Sequence, residues 1–160
     1  IPFIHPQDVG QGHQEGEEDI RIDELASYLA ARNSPSVAAL STAGVPLVTI
    51  TSAIIITREC REPTGNVMVF LDPQPEEVEE HGPSFRIVKM DVHLYVFTQR
   101  NTESVLRAQA ENYAQALLNC LTENPYFFGI ESREYFDGVE GNGNIKAAKI
   151  ALVFKYEEAA

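Results

Sequence analysis

Asp91 and His93 stand two residues apart in "RIVKMDVHLYVF", a spacing that places a carboxylate and an imidazole on one side of a strand. Together they have the chemistry of two metal ligands, or of a general base and the group that orients it. Glu131 with Glu134, and Asp137 with Glu140, are the other carboxylate pairs. Such pairs serve glycoside chemistry when a cleft holds them ~5 to 9 Å apart. The segment "YFDGVEGNGNIK" offers glycines to cradle a phosphate, but Gly138, Gly141 and Gly143 read G-x-x-G-x-G and no Gly-Lys-Ser/Thr comes after them. Residues 145–156 alternate like a strand, so the helix N-terminus that binds anions is missing.

The remaining residues set these candidates in a bland context. His5, His13, His81 and His93 include no pair at i, i+4 on a helix, and no G-x-S-x-G motif occurs. Cys60 and Cys120 form no C-x-x-C; Cys120 falls beside Leu117 and Leu121 on an apolar helical stripe, the setting of a reduced, buried thiol. The chain contains no tryptophan, the ring most used on sugars. These observations argue against an enzyme and imply no cofactor or metal, with a site at Asp91 and His93 as the alternative.

At 160 residues the chain has the length of one domain, and 24 acids against 12 bases give a formal charge of −12. That sign opposes affinity for nucleic acid or anionic membrane. Glu76, Glu77, Glu79 and Glu80 form one acidic cluster, and Glu15, Glu17, Glu18, Asp19, Asp23 and Glu24 another. The start "IPFIHPQDVGQG" lacks the basic and apolar regions of a signal peptide, and the longest aliphatic runs are strand-sized.

Residues 1–18 show no period and are punctuated by Pro and Gly, predicting a flexible arm before a single α+β domain over 19–160. Ile22, Leu25, Ala26 and Leu29 predict a helix from Asp19, closed by Asn33-Ser34-Pro35. "LVTITSAIIITREC" and "NVMVFL" predict two strands in an antiparallel hairpin, and the three prolines of Asp72 to Ser84 predict a polar loop. Val88, Met90, Val92, Leu94 and Val96 alternate with Lys89, Asp91, His93 and Tyr95, the period of a half-buried strand. Leu106, Ala110, Tyr113, Ala114, Leu117 and Leu121 line a helix that Asn124-Pro125 ends. Ala148, Ile150, Leu152, Phe154 and Tyr156 mark the last strand, reached through a hairpin whose reversal is expected at Asn142-Gly143. The sum is an antiparallel or mixed β-sheet with two helices packed on one face. The aromatics Tyr126, Phe127, Phe128, Tyr135 and Phe136 read as core, or as partner anchors wherever they stay exposed.

The span from about Ile20 to Tyr156 resembles the tail-terminator proteins of tailed bacteriophages, a tail-completion and neck family. The likeness lies in "VHLYVFTQRNTESVLRAQAENYAQALLNCLTENPYFFG" and in the closing strand "AAKIALVFKY". The resemblance implies a structural virion protein without cofactor, built as a homo-oligomeric, hexameric ring at the head-proximal end of the tail tube. It would end tube polymerisation, contact the tube protein and the neck connector, and pass DNA through an acidic lumen without specific binding. Other head-tail connector or head-completion proteins are the alternative, and a sheath is a further possible partner. In this frame Asp137, Gly138, Val139, Glu140, Gly141, Asn142, Gly143 and Asn144 are the expected subunit or tube contacts. Glu76, Glu77, Glu79 and Glu80 are the expected lumen or neck surface.

Overall fold

A computed structural model describes residues 17–57, 65–81, 84–139 and 142–159. The fold is α+β. Helix α1 spans Glu17–Arg32, α2 spans Ser34–Leu40, and a short 3-10 turn at Ser52–Ile54 leads into β1, Ile55–Thr57. Strands β2 (Val67–Pro73), β3 (Glu77–His81) and β4 (Phe85–Gln99) precede helix α3 (Glu103–Leu121), and β5 (Phe127–Val139) and β6 (Asn142–Ala159) end the chain.

The strands form one mixed sheet in the order β1-β2-β4-β6-β5, with β3 also paired to β4. The 15 residues of β4 are long enough for β2 to pair its second half while β3 pairs its first. Alternation decides which side chains meet the helices. Val88, Met90, Val92, Leu94 and Val96 of β4 and Ala148, Ile150, Leu152, Phe154 and Tyr156 of β6 share one face, buried against Ile22, Leu25 and Leu29 of α1 and Ala110, Tyr113, Leu117 and Leu121 of α3. Each large side chain of this kind contributes roughly 1.5 to 3 kcal/mol on burial. The opposite face carries a smaller apolar cluster of Met68, Phe70, Phe97, Ile145 and Ala147. Phe70 and Phe97 meet there edge to face, 5.2 Å between ring centres.

The fold class and the two long periodic elements match the expectation from sequence, and four details differ. First, two helices pack on the sheet as expected, but a short third helix, α2, packs on α3, because Pro35 sits in its first turn, where a missing N–H costs nothing, and so opens a helix. Second, β1 and β2 pair in parallel, Ile55 opposite Val69, so they are not a hairpin. Among the described residues of the β-branched run, three are strand. Residues 46–51 are held off the sheet by side chains: the Val48 N–H donates to the Tyr113 hydroxyl at 2.8 Å, and the Ile50 N–H to Asn33 Oδ1 at 2.9 Å. Third, the stretch expected to be a loop contains β3, whose ladder with β4 shifts register between Val78 and Glu80. Prolines flank this strand and do not enter it. Fourth, Asn142 and Gly143 already belong to β6, with Asn142 paired to Val139, so they are strand and not the expected reversal; Glu140 and Gly141 lie outside the described residues.

Helix α1 begins at Glu17, two residues earlier than expected. Residues 1–16 and Cys60 lie outside the described residues. Among the described residues no helix is long and apolar enough to cross a membrane.

Candidate assembly surface

Asp91 and His93 do share a sheet face, the one turned away from the helices, opposite Val153 and Ala151 of β6. The Asp91 carboxyl is raised above the usual carboxylate range, first by partial burial and then by the charge of Glu131, with Lys89 working against both. Lys89 Nζ stands 3.8 Å from Asp91 and 3.0 Å from Glu131, and the bond to Glu131 raises the lysine in turn. The pair is thus part of a charge row along the sheet. Among the described residues no group of three or more His, Cys, Asp or Glu side chains is placed to hold a metal ion. Cys120 is buried, and desolvation pushes its thiol up to about 11, away from nucleophilic use near neutrality.

The acidic cluster divides. Glu76 is turned inward: its carboxylate pairs with Arg21 of α1 and accepts the Tyr156 hydroxyl, leaving the side chain 15% exposed. Arg21 is itself buried, its guanidinium 4.4 Å above the Tyr156 ring and 3.9 Å from Glu158. Glu158 also accepts from Arg86 Nε at 2.9 Å. Glu76 therefore clasps the N-terminal helix to the last strand, and its burial removes it from the expected charged surface. Glu77 is exposed on β3; Glu79 and Glu80 lie on the same strand. Sequence reasoning misses this network because its signal is a lone arginine in an acidic helix, a local pattern that does not reveal a partner 55 residues away.

At the hairpin, Asp137 is exposed and faces Lys146 at 2.5 Å, and Lys146 reaches Glu103 at the start of α3 at 2.9 Å. These two bonds raise the lysine above its ordinary value. No motif singles out Lys146, although its place on the inward face of β6 is visible from the strand period. Gly138 and Val139 end β5, and Asn144 is exposed near the start of β6. The tip residues are thus together in one hairpin, with Glu140 and Gly141 outside the described residues.

The aromatic cluster separates by strand face and position. Tyr126 and Phe127 pack on the main core, and Phe136 packs on the smaller cluster. Phe128 is 67% exposed, Ile130 43% and Tyr135 36%, all on β5. Lys155 Nζ sits 3.8 Å from the Phe128 ring centre, and both line a cavity of about 320 Å³ with Lys89, Gly129 and Glu131. An aromatic ring left in water beside such a hollow is the setting of a partner anchor.

No family model matches the chain, and no curated protein matches it. Among solved structures, a chain of the virion of a native gene transfer agent particle is similar, with a TM-score of 0.46 and 16% identity, over 83% of this chain and 97% of that one. Function is argued from the surface itself.

Proposed function

We propose that this chain is a structural virion protein of the tail-terminator kind. It forms a hexameric ring at the head-proximal end of a tail tube, ends tube polymerisation and joins the tail to the neck connector. The observation that carries this reading is the β5–β6 hairpin. Its strands are 13 and 18 residues long, and among the described residues β5 holds three of the five large hydrophobic side chains left exposed. Apolar side chains kept in water along a terminal strand belong to a protein that finishes its core with a neighbour. The sequence resemblance supplies the kind of neighbour.

In this role the protein needs no cofactor and catalyses no reaction. Asp137 to Asn144 contact the next subunit or the tube, and Glu77, Glu79 and Glu80 contribute to an acidic lumen or neck face that lets DNA slide without holding it. The protein then resides in the virion, after assembly in the host cytoplasm. Native mass spectrometry over a concentration series, with and without purified tail-tube protein, followed by negative-stain imaging, tests the proposal. A closed six-membered ring, free or on a tube end, is expected, and deletion of Val139 to Asn142 is expected to abolish it. A chain that never closes a ring and ignores the tube overturns the reading.

A further inference from the structure

In the sheet β5 is terminal, with β6 on one side and no described strand on the other. An edge of this length, with apolar side chains exposed, is a template for another strand. The ladder to β6 shifts register between Ile130 and Ser132 and again between Asp137 and Val139, leaving Ser132 to Asp137 as a regular stretch. Alternation puts Arg133, Tyr135 and Asp137 on the helix-covered face, since they pair with Ile150, Ala148 and Lys146. Arg133 is steadied there by a bond from its Nη1 to Gln115 of α3 at 3.1 Å.

We infer that two copies of this chain pair antiparallel through the free edge of β5, in the register centred on Tyr135. The charges select that register. A two-fold axis normal to the sheet sets residues of the same face opposite each other, so it must pass through a residue position. Centring on Arg133, Glu134 or Asp137 places like charges in direct opposition, which destabilises a ladder. Ser132 adjoins the register shift, and centring on Phe136 leaves Arg133 facing no acid within the regular stretch. Tyr135 as centre sets Arg133 of each copy opposite Asp137 of the other, twice by symmetry, with the two Tyr135 rings side by side between them. The occupant of the edge is thus a second copy, named by the complementarity of this strand with itself. Such an isologous contact closes as a dimer and does not repeat around a ring, so it competes with the ring for Tyr135 and Asp137, and a ring that forms without the β5–β5 contact separates the two readings.

Cross-linking tests the register directly. Tyr135→Cys on a Cys60→Ser background brings two thiols together at the axis, within the ~7 Å between Cα atoms that a disulfide tolerates. In Ser132→Cys the two thiols lie six residues apart along the ladder, about 20 Å. Mild oxidation is expected to give a covalent dimer of the first variant and not of the second. In sedimentation velocity Arg133→Asp is expected to weaken dimerisation about tenfold, while Arg133→Lys stays near wild type. Tyr135→Cys that stays reduced, or cross-links no faster than Ser132→Cys, overturns the inference. So does an Arg133→Asp protein that is folded by circular dichroism and sediments as wild type.

Discussion

Arg21 and Glu76 form an ion pair across 55 residues of chain, joining the first turns of α1 to the connection before β3, and both are largely withdrawn from water. Charges placed this way stabilise a fold only while both are present, because each carries a desolvation cost that the other offsets.

Glu76→Ala should therefore lower unfolding free energy by about 3 kcal/mol, since it strands a buried guanidinium. The double variant Arg21→Met with Glu76→Leu should recover most of that loss. Urea titration measures both. A cost below about 1 kcal/mol for Glu76→Ala, the range of exposed pairs, would show that the pair is peripheral.

Asn33 is fully buried, and its amide ties two segments together. Its Nδ2 donates to the carbonyls of Leu29 and Ile50, each at 2.7 Å, and its Oδ1 accepts the Ile50 N–H. Asn33→Ala leaves the Ile50 N–H and carbonyl unpaired in the interior, while the Leu29 carbonyl keeps the residue 33 backbone N–H, and should cost about 3 kcal/mol. Hydrogen exchange gives the sharper check: the Ile50 amide should lose protection before the centre of β4 does.

Lys146 provides the pH dependence. Its folded value is raised by its bonds to Asp137 and Glu103. The folded state thus holds the proton more tightly than the unfolded chain, so the contribution is fully present below the ordinary lysine value of 10.5 and is lost as pH rises through the higher folded value. Thermal melts of wild type and Lys146→Gln should differ at pH 8 and converge in strong alkali. A difference that persists unchanged at high pH would show that the clamp acts through packing alone.

The long elements are legible in the sequence because each buries one face over many residues: β4 by its period of two, α3 by the stripe from Leu106 to Leu121. The illegible parts depend on partners remote in sequence. "LVTITSAIIITREC" has the composition of a long strand, yet Asn33 and Tyr113 offer its backbone other hydrogen bonds, and among its described residues strand forms only from Ile55 to Thr57. Pro35 and the prolines around β3 look like breaks, but a proline's meaning depends on whether its missing N–H falls at a helix start or beside a strand. Within the candidate site, the strand pair is visible, but Asn142-Gly143, read as its turn, is already strand paired to β5. Glu76 looks like any glutamate in an acidic run, and only Arg21 and Tyr156 set it apart.

Strand β6 follows every other described strand in the sequence and lies inside the sheet, with β4 on one side and β5 on the other. While the chain is still emerging from a ribosome, β4 therefore has no inner neighbour, and α1 lacks the Tyr156 ring over which Arg21 sits. Cooperative structure must wait for β6, and the β4–β6 pairing that completes it is long in sequence separation, the kind of contact that forms slowly. Nascent chains stalled before Ile145 should be cut readily by protease, and those released beyond Glu158 should resist.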